Sequence, residues 1–503
     1  MPAPSAPFLV GCVVLGLACS SDPGAVATES GATTTSAEPS TSATTGLDPG
    51  STAVDADTTA TGGATTSGAD GSTGGDTGGS DGLQWLDPLG YAKPPLVDIA
   101  EPDEATTANK YYVDLAAGAG DECSEAAPCL AFADLVGKPG TTGGPAYVYV
   151  RGRGQLWLYE ETFFGSPGQE IVIKPWGGDT ATFTGNSNTS SMGVHDLIID
   201  GGLAFGIEFE NEQCGDVYAF TVASDNTTVY RTRAHSTCPT GSLLFAVGPF
   251  WQPSNVRFVN NEGYGCDAAD GFQCSFVYAG PGDGGGYDGL LIQNNIIRNM
   301  GGEGIEINPR VTSSGLEIAG NAIHDVGKAT CAGDWGCRPG ITVAVQSGDG
   351  NDGTRIVDNL VWDTGSSCIW DRGGGDPAPI YAHNTCFDYA KVGSDPWPFG
   401  ISSYQDGGTA TLANNIIFAP NGTAAFDGSA FTMEGNICDD GSCAMPYSAQ
   451  VFASIDPDAL EFLQLAGGGP AVDAAQDVGV AIDYLGHPRP QGDGFDIGAF
   501  EAR

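Results

Sequence analysis

The sequence predicts an all-β solenoid, a chain wound into coils of short strands stacked along one axis. Three observations carry that prediction: a motif recurs through the second half of the chain, glycine is abundant, and long amphipathic helical patterns are missing. The motif is an apolar residue, an Asn three positions later, then an apolar residue or Cys two further on. It stands in GLLIQNNIIRN at Gly289, GLEIAGNAIHD at Gly315, TRIVDNLVWD at Thr354, IYAHNTCFD at Ile380, TLANNIIFA at Thr411 and TMEGNICDD at Thr432. Its anchors are Asn295, Asn321, Asn359, Asn384, Asn415 and Asn436, with Asn261 a seventh, at spacings of 21 to 38 residues. A shorter strand follows several of them: Ile305 and Ile307, Ile341 to Val345, Cys368 to Trp370, and Ile401 to Ser403. Alternate side chains of such strands point inward and stack on the same position of the next coil. Asn suits a recurring corner because it tolerates the left-handed conformation and forms stacked amide ladders. The variable spacing puts insertions at the other corners, as outward loops.

Composition agrees. Of 503 residues 41% are apolar and 16% charged, with 77 Gly and 31 Pro; an average protein has about 25% charged residues and about 7% Gly. The 22 Phe, 16 Tyr and 8 Trp give ample apolar surface to bury, which excludes a wholly disordered chain. Against 62 acidic residues stand 18 basic ones, a net charge of -44. A phosphate backbone is held by Lys and Arg, so nucleic acid is excluded as a partner, and anionic membrane surfaces are disfavoured.

The N-terminus reads as an export signal. Phe8 to Ala18 is an apolar run too short for a bilayer span, which takes about 20 residues, and right for a signal-peptide core. Gly16-Leu17-Ala18-Cys19 resembles the lipobox of bacterial lipoproteins, which implies a lipid anchor on Cys19 after cleavage. Ordinary cleavage at the same bond would leave Cys19 free and the protein secreted. From Cys19 the chain is almost entirely Ser, Thr, Gly, Ala, Asp and Pro, with no basic residue before Lys93, and it cannot bury enough apolar surface to offset its ordering entropy. The organisation expected is therefore a signal peptide over 1–18, a disordered tether over 19–83, the solenoid over 84–455 and a closing segment over 456–503. The tether's r.m.s. reach is roughly 45 Å for a flexible chain of its length, enough to hold a monomeric domain clear of a membrane or cell surface.

The repeat resembles the right-handed parallel β-helix coils of the pectate lyase-like superfamily, over about residues 110–455. KYYVDLAAGAGDECSEAAPCLAFADLV resembles the opening coils of secreted members, with a helix expected at about Ala127 to Val136. GPAVDAAQDVGVAIDYLGHPRPQGDGFDIGAFE resembles their closing segment, in which Asp483, Arg489, Asp496 and Glu501 read as an ionic cap over the open end of the stack. Twelve cysteines beyond Cys12 and Cys19 fall into six local couples: Cys123 and Cys129, Cys214 and Cys238, Cys266 and Cys274, Cys331 and Cys337, Cys368 and Cys386, Cys438 and Cys443. An even count in an exported chain reads as disulfides. Zinc is disfavoured, because no CxxC occurs and only five His are present.

The resemblance is specific for fold and leaves two functions open. One is a surface protein that binds carbohydrate or surface partners along its long face. The other is a polysaccharide-degrading enzyme: Ca²⁺-assisted β-elimination of acidic glycans with a Lys or Arg base, or glycoside hydrolysis. Candidate bases are Arg372, Lys328 and Lys391; candidate sugar contacts are Trp335, Arg338, Trp397 and Tyr404; Asp334 and Asp371 are candidate Ca²⁺ ligands. His383 in the repeat is a further outward candidate. Glu303, Glu306, Asp371 and Asp406 offer carboxylates for a paired-carboxylate site instead. The basic residues show no clustering in sequence, and a net charge of -44 repels polyuronates.

Overall fold

The structure, a computed structural model, describes Trp85, Asp87 and residues 90–503, except 159–161, 190–192, 214–216, 239–242, 250, 267–273, 281–283, 329–337, 345–350, 373–377, 393–397, 404–408, 420–422 and 429–430 and the side chains of Cys266 and Asn351. Each full coil carries three strands. In one of them Asp288–Gln293 lies in a first sheet, Ile296–Met300 in a second and Ile305–Ile307 in a third, before Ser313–Ala319 opens the next coil. Every strand pairs in parallel with its counterpart one coil on, as Leu290 with Leu316, Ile297 with Ile323 and Ile305 with Ile341. The chain is a right-handed parallel β-helix.

Alternation explains the core. Along the first sheet Ile173, Ile199, Val229, Phe258, Ile292, Ile318, Ile356, Tyr381 and Leu412 stand in register in one inward column, and each is fully buried. Trimming one of the isoleucines to Ala costs about 2–5 kcal/mol in such a core.

The corner between the first and second sheets has no insertions. Asn261, Asn295, Asn321, Asn359, Asn384, Asn415 and Asn436 form a buried ladder there, each Nδ2 donating to the Oδ1 of the next at 2.9–3.1 Å. The same amides also donate to backbone carbonyls, for example Asn321 Nδ2 to Ile292 O at 2.9 Å. The left-handed conformation belongs to the residue before each Asn: Asn260, Asn294, Gly320, Asp358, His383, Asn414 and Gly435 have φ of 53–64°. Two jobs expected of one Asn are thus divided between neighbours.

Near the N-terminus the expected helix is a single 3₁₀ turn, Phe132–Leu135. The Cys123–Cys129 disulfide and the bridge of Cys129 to Val113 keep the preceding residues extended, so Phe132 and Leu135 are buried while Leu130 is exposed. Residues 90–107 run back along the coils as a strap, with Pro95 O accepting from Asn294, Val97 O from Asn260 and Pro102 O from Tyr147.

The closing segment also lies along the flank. Val480 packs on Ala319, Val357, Ala382 and Ala413, four residues in register on successive coils, and Ala499 N donates to Thr385. Arg489 anchors it, with Nη2 at 2.7 Å from Asp358 and Nη1 at 2.7 Å from Glu501. The ionic group therefore pins the segment across several coils, where the sequence suggested a plug at the end.

Cys438–Cys443 is the second local disulfide, and Cys238 and Cys274 are disulfide-bonded as well. Cys214, Cys331 and Cys337 lie outside the described residues, as does the side chain of Cys266. Cys368 and Cys386 carry free thiols, which corrects the fifth couple. The partner of Cys386 one coil back is Val361 in the second sheet, whereas Cys368 directly precedes the third-sheet strand Ile369–Asp371. The two thiols come from different walls of the coil, Cys368 Sγ donating to Val361 O and Cys386 Sγ to Gly400 O, both at 3.8 Å.

Candidate functional site

Third-sheet strands in the middle of the stack are three residues long, so stacking rather than periodicity tells which residue faces out. Val277, Ala279, Ile305, Ile307, Ile341, Val343 and Ile369 belong to the interior cluster. The middle residues Tyr278, Glu306, Thr342, Trp370 and Ser402 pair in register as one outward column. All five are nevertheless buried. A carboxyl group in such a place is costly to charge unless it is paired.

Glu306 sits at the centre. Glu303, Arg338 and Arg372 are near enough to act on its charge, and Asn308 hydrogen-bonds it. Arg338 Nη1 donates to Glu303 Oε1 at 2.6 Å, while the Arg372 guanidinium lies 3.8 Å over the Trp370 ring. Asn308 Nδ2 donates to the Tyr278 hydroxyl at 3.4 Å. Glu303 and Glu306 are 1% and 6% exposed. One oxygen of each, Glu303 Oε2 and Glu306 Oε2, is buried without a hydrogen-bond partner among the described residues, as is Asn308 Oδ1.

The electrostatics follow. Burial, and then the charge of Glu303, push the Glu306 carboxyl up to about 8, against the pull of Arg338, Arg372 and the Asn308 hydrogen bond. Burial and then Glu306 raise the Tyr278 phenol. Burial lowers the Arg372 guanidinium. At neutral pH Glu306 therefore holds a proton beside a second carboxyl that is ion-paired to Arg338. A carboxyl held up by burial beside a second carboxyl fixed by an arginine is a pairing suited to acid-assisted bond cleavage.

No family model matches the chain, and no curated protein matches it. Among solved structures, the crystal structure of pectate lyase Pel9A superposes with a TM-score of 0.51 at 14% identity, over 79% of this chain and 97% of that one. The chain has the parallel β-helix fold of that lyase. A rhamnogalacturonan lyase gives a TM-score of 0.38 at 10% identity, covering 72% of this chain and 97% of its own. XylC in complex with xylose gives 0.39 at 11%, covering 66% and 76%.

In this β-helix the residues singled out from sequence separate into groups. Arg372 and Arg338 come together with Glu303 and Glu306, and Arg310 acts on the neighbouring Tyr278. Basic residues scattered in sequence thus do gather in space. Lys328 lies at another corner, bridging Asp325 and Asp363, with Lys391 on Asp388. Asp325, Asp363 and Asp388 hold equivalent left-handed corner positions, φ 53–57°, so the two lysines belong to a surface ion ladder.

Asp371 faces inward. Its Oδ2 accepts from Tyr381 and from Ser403, which leaves it unsuited to the Ca²⁺ role expected of it. No group of three metal-ligating side chains occurs among the described residues. His383 is fully buried at the Asn corner, with burial and then Arg489 pushing it down to about 3, so it serves as a neutral corner residue. Asp334, Trp335, Trp397, Tyr404, Asp406 and Cys19 lie outside the described residues. Tyr278 and Thr342 were not legible in the sequence, since a polar residue inside a three-residue apolar strand carries no periodic signal, and Asn308 lies just past the end of such a strand.

Proposed function

We propose that the protein is a carbohydrate-active β-helix that cleaves an acidic glycan at the Glu303–Glu306 pair. The observation that carries this reading is geometric: Glu306 lies outward on the third sheet, its carboxyl pushed up by burial, beside a Glu303 that is ion-paired to Arg338. Glu306 donates its proton to the departing glycosidic oxygen as that C–O bond breaks, while a water forms the new bond to the anomeric carbon and gives its proton to Glu303 as general base. Arg338 and Arg372 outweigh Glu303 in charge, which makes the site locally positive on a chain of net charge -44. Such a site draws a uronate carboxylate inward, and Trp370 holds the Arg372 guanidinium in place by a cation–π contact. The lowered Arg372 supports a second reading, in which it takes the proton beside the uronate carboxylate and the bond breaks by elimination.

The apolar run before Cys19 supports placing this domain outside the cell on a lipid-anchored stalk; Cys19→Ser is then expected to move the protein from membrane to soluble fractions, and unchanged membrane retention contradicts the anchor. The reaction is tested on a panel of uronic-acid and neutral polysaccharides by following new reducing ends together with absorbance near 235 nm. New reducing ends alone indicate hydrolysis, and both signals together indicate elimination. Neither signal on any glycan overturns the enzymatic reading.

A further inference from the structure

The outward column that carries Glu306 continues toward the start of the stack. Tyr278 pairs with Ala246, Ala246 with Thr221, Thr221 with Asn188, and Asn188 with Trp157. Leu156 and Leu158, which flank Trp157, are both fully buried in the interior cluster, so alternation turns the Trp157 ring outward. It is 44% exposed, and among the described residues it is the only tryptophan or phenylalanine that is exposed. Asn188 and Thr221, the next two members of the column, are half-buried polar residues.

We propose that Trp157 is a sugar-stacking platform at the far end of the face that carries Glu306, and that the substrate is a polymer lying along the helix axis. The proposal rests on Glu306 marking the reaction centre. An indole offers a broad apolar face with a hydrogen-bonding edge, the surface a pyranose ring stacks upon. Five coil steps separate Trp157 from Glu306, about 24 Å at the spacing of paired strands. A trisaccharide seated at Glu306 falls short of Trp157, whereas a polymer following the column reaches it and presents polar groups to Thr221 and Asn188 on the way. Trp157 thus sets a preference for long chains and takes no part in the bond cleavage.

The test uses the full chain and Trp157→Ala, with Trp157→Phe as the conservative variant. For whichever polysaccharide the wild type cleaves, Trp157→Ala is expected to raise KM on the polymer roughly three- to tenfold, the scale of an aromatic stacking contact. Its kcat on the polymer and its kinetics on a trisaccharide should stay unchanged, and Trp157→Phe should recover most of the loss. An unchanged KM on the polymer, or an equal loss on the trisaccharide, overturns the proposal. Binding is measured separately in the Glu306→Gln background by affinity electrophoresis in gels containing the polymer, where Trp157→Ala should reduce retention by a similar factor. Undiminished retention counts against Trp157, while full activity of Glu306→Gln counts against the reaction centre, so the two failures are told apart.

Discussion

Two regions of this β-helix bury acidic residues against arginine, and they differ in how the oxygens are used. On the flank, Glu501 accepts from Arg489, from the Asp496 N–H and from the Gln491 N–H. Asp483 accepts from the N–H groups of Leu485, His487 and Glu501, and Asp496 from those of Asp473 and Ala502. On the third sheet, Glu303 and Glu306 each leave one buried oxygen without a partner among the described residues. A saturated cluster has no hydrogen-bonding capacity left for a ligand; an unsaturated one keeps it at the cost of desolvation. The flank is therefore read as a fastening and the third sheet as a reaction centre. Sequence alone reads Asp483, Arg489, Asp496 and Glu501 as an ionic cap and Glu303 and Glu306 as candidate carboxylates, and the count of satisfied oxygens gives that division a physical basis.

The sharpest way to break this contrast is to neutralise one group in each region. Glu306→Gln keeps the shape and removes the proton donor, so kcat should fall about 10²- to 10⁴-fold with no loss of thermal stability. Arg489→Ala should do the reverse: it strands Asp358 and Glu501 in the interior, and about 3–5 kcal/mol of stability should disappear from urea unfolding, while any remaining folded protein keeps its kcat. Swapped phenotypes would reverse the two assignments.

A middle-sized effect tests the scaffold on which both regions sit. Asn359→Leu removes one rung of the buried ladder and leaves the Asn321 amide and the Ile318 carbonyl without their partner, at about 1–3 kcal/mol. A melting temperature that does not move would contradict the buried ladder.

The smallest effect is expected at the ion ladder. Lys328→Ala removes contacts to Asp325 and Asp363, but its side chain is 40% exposed, and such pairs are worth less than about 1 kcal/mol. Neither stability nor kcat should change measurably, whereas a large loss of kcat would return Lys328 to the candidate site.

The pH dependence of stability has a definite sign. Glu306 and Asp358 both hold their protons more tightly folded than unfolded, with burial the leading cause, at about 8 and about 7. Between the usual carboxylate range and those values the unfolded chain binds fewer protons, so both groups make stability decline as pH rises through that window. Glu306→Gln and Asp358→Asn should each flatten part of the decline seen in urea midpoints from pH 4.5 to 8, and a slope unchanged by both variants would contradict the two shifts.

Much of the fold was legible in the sequence because the corner after the first sheet admits no insertion. Asn295, Asn321 and Asn359 therefore recur with the same apolar neighbours whatever happens elsewhere in the coil. The site was less legible. In Ile305-Glu306-Ile307 the strand is too short to show alternation, and Glu303, Arg338 and Arg372 are separated by loops of unequal length. Lys328 and Arg338 flank one loop in sequence, yet one turns to the aspartate corner and the other to Glu303. The exposure of Trp157 was legible in principle, from a single Trp between two leucines at the start of the stack, but nothing in sequence linked it to Glu306 five coils away.

The proton on Glu306 is the central claim, and it is measured most directly by ¹³C NMR titration of glutamate carboxyl carbons, with the Glu306 resonance assigned by its absence in Glu306→Gln. The account predicts that this signal titrates near pH 8, well above the usual carboxylate range. A Glu306 signal that titrates near pH 4.5 contradicts it, because the carboxyl would then be ionised at neutral pH and have no proton to give.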